Sequence, residues 1–235
     1  MVLLASPFAR LSLYWPTVQA LVEREYRVVA VEMPGCGCGA RLNMAWRFED
    51  YARWVAGFLA AMELEDVVLI GHSHTGAVAM SLAALHPERL KSAVIVDCVG
   101  AAGPRSILAV LIGCAMCIPF EVRFVLRGTP RLAYNLARHG RNFLVQFWRA
   151  VRADVRPDAS EVTLPVLLAW GAHDFVMPRA GARELQSLLR EHEFYLSQRG
   201  SHDWLIERAD EFAAAVHEFS ARRPGIKATI STDES

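Results

Sequence analysis

The chain has 235 residues, 25 Lys plus Arg against 25 Asp plus Glu, and 53% hydrophobic residues. That length suits one well-buried core, and a zero formal charge gives no long-range field to draw the protein to nucleic acid or anionic lipid. The longest apolar run, 107–120, is shorter than the roughly 20 residues of a bilayer span, and five cysteines behind an N-terminus unlike a leader fit a reducing, cytoplasmic setting.

In chain order the sequence predicts strands at 2–5, 27–31, 67–70, 93–96, 166–170 and 194–196. Most are continuously apolar, as strands buried on both faces of a parallel sheet are. Helical periodicity falls between them at 14–24, 48–63, 75–85, 180–190 and 209–221. This alternation implies an α/β fold, a mostly parallel sheet with helices on both faces. Residues 100–160 break the rhythm with helical stretches rich in Leu, Phe, Arg and Ala, and read as a helical lid inserted over the sheet. The core is then 1–99 with 161–222, and the polar stretch 223–235 reads as a disordered tail.

The strand at 67–70 runs into Gly71-His72-Ser73-His74-Thr75-Gly76 and then an Ala-rich helix. Strand, sharp turn and helix make a nucleophile elbow, in which the serine backbone is strained and the residues two before and two after it must be small. Those residues are Gly71 and Thr75. The alternative is a plain loop in which Ser73 caps the helix. A serine hydroxyl needs a base, and His202 follows the last strand on a loop that can reach the sheet edge. His72 and His74 flank the serine and should point away from it, while His139, His192 and His217 read as solvated. The base needs an acid to orient it. Asp174 lies past the carboxyl end of its strand, where sites gather in such sheets, and Asp97 is the alternative acid.

The pieces Gly71-His72-Ser73, Gly171-Ala172-His173-Asp174 and Gly200-Ser201-His202-Asp203-Trp204, with Tyr26 to Gly35 before them, resemble the α/β-hydrolase fold family. The similarity is to its subgroup of esterases, C–C bond hydrolases and perhydrolases. The resemblance implies acylation of Ser73, proton transfer through His202, orientation by Asp174, and release by water, with no cofactor. It implies a small apolar or neutral substrate, a carboxylic ester first and lactones, thioesters or diketones behind it. The family's oxyanion hole takes one N–H from the residue after the nucleophile, here His74, and one from a His-Gly pair after the first core strand. This chain has Ala5-Ser6-Pro7-Phe8 there. Proline has no N–H, so a one-residue shift passes the role to Phe8 or Ala9, of which Phe8 is assigned. Relatives carry two further strands before the first one here, which implies an exposed sheet edge and a homodimer.

Cys36-Gly37-Cys38 and Cys114-Ala115-Met116-Cys117 lack second ligand pairs, so no metal site is expected. The greasy stretch 107–120 reads as core or lid, with peripheral membrane contact as the other option. Arg123, Arg127, Arg131, Arg138 and Arg141 give the next segment a basic cast that a solvated face also explains. The functional alternative from another class is a non-catalytic small-molecule-binding protein on the same scaffold, motivated by the missing His-Gly pair.

Overall fold

The computed structural model describes residues 1–223. All but the first residue of the expected tail lies outside them, and that one, Arg223, is held by ion pairs to Glu191 and Glu193. Six strands form one all-parallel sheet: β1 (Val2–Ala5), β2 (Val29–Glu32), β3 (Val67–His72), β4 (Leu90–Val96), β5 (Val166–Gly171) and β6 (His192–Ser197), in the order β2-β1-β3-β4-β5-β6. The expected strands are all present; the first has the expected bounds and the others are longer or shifted by a few residues. The first strand is internal, so the sheet's edges are β2 and β6.

Alternate residues of each strand feed opposite layers, because successive side chains point to opposite faces. Val2 and Leu4 of β1 face one layer, and Leu3 and Ala5 the other. The first layer is made by α2 (Phe48–Ala61), α3 (His74–Leu85) and α7 (Arg179–Leu188), with Val55, Leu59, Leu82 and Leu185 in its core. The second is made by α1 (Trp15–Val22), α8 (Trp204–Glu207) and α9 (Ala209–Ala221), with Leu21, Leu205, Phe212 and Val216. Burial on both faces explains why these strands read as unbroken apolar runs.

The lid region contains α4 (Ile107–Cys117), α5 (Val122–Arg152) and α6 (Arg156–Glu161). Ser106 starts α4 by accepting the Ala109 N–H at 3.1 Å. α4 is apolar almost all round yet buries only Val110, Gly113 and Cys117. At Gly113 an added Cβ would lie 2.3 Å from the Phe175 carbonyl oxygen, so a bare backbone seats the helix there. α5 kinks at His139, where φ is −128°. Four of its buried residues are polar: Asn135, His139, Asn142 and Gln146 bond backbone carbonyls of Pro7, Gly37, Gly35 and Trp46 at 2.9–3.0 Å. His139, expected in solvent, is therefore one of the groups that seat the lid.

Gly71 and Gly57 define the fold's tolerance. A Cβ on Gly71 would lie 2.3 Å from the Thr75 carbonyl oxygen and 2.7 Å from the Ala79 Cβ, whereas one on Gly57, exposed in α2, meets nothing within 4 Å. In urea melts, Gly71→Ala is expected to lower stability by about 1–3 kcal/mol. Gly57→Ala is expected to raise it by about 0.5–1 kcal/mol.

Candidate active site

Between β3 and α3 a single residue, Ser73, turns the chain, with φ 54° and ψ −115°. Positive φ is uncommon for a residue with a side chain and carries about 1–3 kcal/mol of strain. Neighbouring bonds hold the turn: the Ser73 N–H donates to the Val96 carbonyl at 2.9 Å. Thr75 Oγ1 donates to the Leu4 carbonyl at 2.8 Å and accepts the His72 N–H at 3.1 Å. The hydroxyl of Thr75 is thus used as a brace, which is why a residue larger than glycine fits two places after the serine.

Ser73 occupies the N-cap position of α3 but makes no capping bond. Its Oγ lies 2.9 Å from His202 Nε2 instead. His202 Nδ1 lies 2.9 Å from Asp174 Oδ2, and Asp174 Oδ1 accepts the Met177 N–H at 2.7 Å. A carboxylate only accepts, so Nδ1 carries a proton, and Nε2 is the nitrogen that accepts from the serine hydroxyl once it is itself unprotonated. The three residues come from the loops after β3, β5 and β6, at the carboxyl ends of the strands.

Asp97, the alternative acid, does not face His202. Its Oδ1 accepts the Gly171 N–H at 3.0 Å, and burial beside Asp174 raises its carboxyl well above the usual range. It braces the end of β5, from which Asp174 hangs. The two flanking histidines diverge from Ser73 as expected, and each has a structural partner. His72 Nε2 donates to the His202 carbonyl at 2.8 Å while its Nδ1 accepts from the Tyr14 hydroxyl at 2.9 Å. His74 Nε2 donates to Gln146 Oε1 of the lid at 2.9 Å. Burial keeps both rings neutral, lowering His72 to about 3 and His74 to about 4.

Glu121 was not legible as a site residue, since its role comes from the fold. It stands just before α5, is buried, and its Oε1 accepts both the Ser201 hydroxyl and the Asp203 N–H, the latter at 2.5 Å. The lid therefore grips the two residues that flank His202. Burial raises the Glu121 carboxyl, and burial with nearby Glu121 raises that of Asp203. Burial alone would lower the His202 imidazole, but Asp174, followed by Asp203 and Glu121, outweighs it and holds it at about 9.

Ser73 and His202 open into a cavity of about 560 Å³. Its remaining wall is mostly apolar, with Val110 and Leu111 of α4, Phe143 and Phe147 of α5, and Val176 and Met177 of the loop after β5. No Lys or Arg lines it among the described residues. Phe8 also lines it, and its N–H makes only a 3.4 Å contact to Ser6 Oγ, whereas the Ala9 N–H is used in a 3.0 Å turn bond to the Ser6 carbonyl. The five cysteines are unpaired in disulfides.

Residues 4–104 match the family model described as alpha/beta hydrolase fold. The chain is 25% identical to a 2-hydroxy-6-oxo-2,4-heptadienoate hydrolase of Pseudomonas putida, over 88% of this chain and 83% of that one. It is also 25% identical to a pimeloyl-[acyl-carrier protein] methyl ester esterase of Aeromonas hydrophila, over 87% of this chain and 89% of that one. The solved enol-lactonase from Burkholderia xenovorans superposes with a TM-score of 0.77 at 22% identity, covering 94% of this chain and 90% of that one.

The charge around His202 generates a prediction. With a value near 9 the imidazole is protonated at neutral pH, and the free base grows as pH rises through that value. Glu121→Gln removes one of the acids that favour the charged ring. NMR titration of the His202 ring is expected to show its midpoint moving to lower pH in that variant, with Asp174→Asn moving it further in the same direction.

Proposed function

Because the chain belongs to the α/β-hydrolase fold family, we propose that it is a serine hydrolase acting on a carboxylic ester with an apolar acyl group. Ser73 Oγ attacks the carbonyl carbon as His202 Nε2 takes its proton, and Asp174 stabilises the imidazolium that forms. The His74 and Phe8 backbone N–H groups receive the developing oxyanion. His202 then protonates the leaving alcohol, and water attacks the acyl-Ser73, with the same imidazole as base, to release the acid. The observation that carries this reading is the pair of 2.9 Å contacts made by the two His202 ring nitrogens.

The cavity favours an ester over a substrate that bears its own carboxylate. Away from His202, an ionised group buried against this wall would find no cation to pair with, and burying an unpaired charge is strongly unfavourable. Strain at Ser73 fits the same role, since sparsely populated backbone at a functional turn holds the reacting atom in one place. His74 stands in the first turn of α3, where N–H groups lack intrahelical acceptors and are free to meet an anion.

A fluorophosphonate probe should label the wild-type protein and not Ser73→Ala. On chromogenic esters of graded acyl length, Ser73→Ala and His202→Ala should each lose about 10⁴-fold or more in kcat. Turnover by wild type should climb with pH toward the His202 value of about 9, because only the unprotonated ring accepts the serine proton. Folded wild type that neither takes the probe nor turns over any ester would instead support the binding-protein alternative. Phe8→Pro removes the second proposed oxyanion donor and is expected to reduce kcat by about 10²- to 10³-fold, with KM also raised because the Phe8 ring lines the cavity.

A further inference from the structure

We propose that the outer surface of α4 and α5 docks on an anionic phospholipid bilayer, with the mouth of the cavity facing the lipid. This goes beyond the chemistry at Ser73 and is a property of the lid surface alone. The charge balance of the whole chain conceals a strong local asymmetry. Residues 98–153 contain eight of the arginines and a single acidic residue, Glu121, which is buried beneath the lid. The net charge of this stretch is positive; Arg123, Arg127 and Arg131 share a groove with Glu207, Asp210 and Glu211, while Arg138 and Arg141 stand exposed beside the apolar side chains.

The same stretch is inverted in polarity. α5 turns Asn135, His139, Asn142 and Gln146 inward and leaves apolar side chains outside, Leu126 at 72%, Leu144 at 61% and Trp148 at 55% exposure. α4 adds Leu108 at 67% and Ile112 at 51%. Isolated exposed hydrophobics are ordinary, but a succession on two helices, interleaved on α5 with arginines, has the make-up of a segment lying in a lipid interface. Leu111, Cys114, Leu132 and Leu144 line the cavity and are also open to solvent, so α4 and α5 meet at its mouth. No helix among the described residues is long and apolar enough to cross a membrane, so the contact is peripheral.

Charge decides between lipid and a second copy of the chain. A two-fold dimer through this face would set the same patch against itself. Around Arg138 and Arg141 it would oppose arginines with arginines, since the stretch itself offers no exposed carboxylate and Glu207, Asp210 and Glu211 lie in the groove with Arg123, Arg127 and Arg131. An anionic bilayer supplies both the apolar phase and the counter-charge.

The test is flotation of the full chain with vesicles of phosphatidylcholine alone or mixed with phosphatidylglycerol. Wild type should float with the mixed vesicles, less with phosphatidylcholine alone, and less again as salt is raised. Leu108→Glu with Ile112→Glu, neither of which lines the cavity, should abolish flotation. Arg138→Gln with Arg141→Gln, both exposed, should lower the partition coefficient by about 25-fold, at roughly fivefold per arginine. Circular dichroism and melting temperature establish that each variant is folded. The proposal is overturned if folded wild type fails to float with the mixed vesicles, or if both variants float as wild type does. It is also overturned if light scattering finds a wild-type dimer that Leu108→Glu with Ile112→Glu splits into monomers. Probe labelling of Ser73 without vesicles is read separately, so failure of docking and failure of the hydrolase reading are distinguishable.

Discussion

At Ser73 the chain passes from strand to helix within one residue, at a backbone angle that side-chained residues rarely adopt, and the rest of the site is arranged around that turn. Gly71 makes it sterically available, since any side chain there would collide with the Thr75 backbone. Thr75 ties the turn back to β1 and Val96 ties it to β4, so two neighbouring strands hold it from either side. The hydroxyl is thereby lifted off the helix it would otherwise cap and left for an imidazole arriving from the other half of the chain. Parallel strands make that meeting possible, because all their carboxyl ends lie along one rim.

The histidine is held as firmly as the serine. His72 fixes the backbone at residue 202 by donating to its carbonyl, with Tyr14 behind it. Glu121 fixes the residues on either side from the lid. Asp97 braces the strand that carries Asp174. Only one of the buried carboxyls near His202 is in bonding contact with its ring, and the others set the field in which that ring titrates. A charge arrangement of this kind ties lid position to proton affinity, since the lid brings its own acid to the base loop.

The strands, the layer helices and the three residues that meet at the rim were legible in the sequence for a common reason: each is encoded locally. Unbroken β-branched runs give the buried strands, and Gly71-His72-Ser73 sits at a strand-to-helix junction that can be read directly. Glu121 and the inward stripe of α5 were not legible, because their meaning depends on what they touch. A carboxylate before a helix ordinarily reads as a favourable first-turn charge, and Asn, His, Asn and Gln at helical spacing ordinarily read as the wet side. His139 was placed in solvent on that ground, and the Gly37 carbonyl beneath it is what reverses the reading. The sheet ends on β2 and not on the first strand, since a later segment in sequence can lie outside an earlier one in a parallel sheet.

The inward stripe of α5 has a thermodynamic consequence. A helix seated by amide and imidazole bonds to backbone carbonyls exchanges them for water at a modest net loss each, about 0.5–1.5 kcal/mol. Lifting such a helix wets polar groups that hydrate readily, whereas separating the layers on either side of the sheet would wet leucines, phenylalanines and valines. Heat capacity rises with apolar exposure and falls with polar exposure. The two movements therefore differ in calorimetric character: raising the roof of the cavity exposes Phe143, Phe147 and Val151 together with this polar stripe, whose hydration offsets part of the heat-capacity rise.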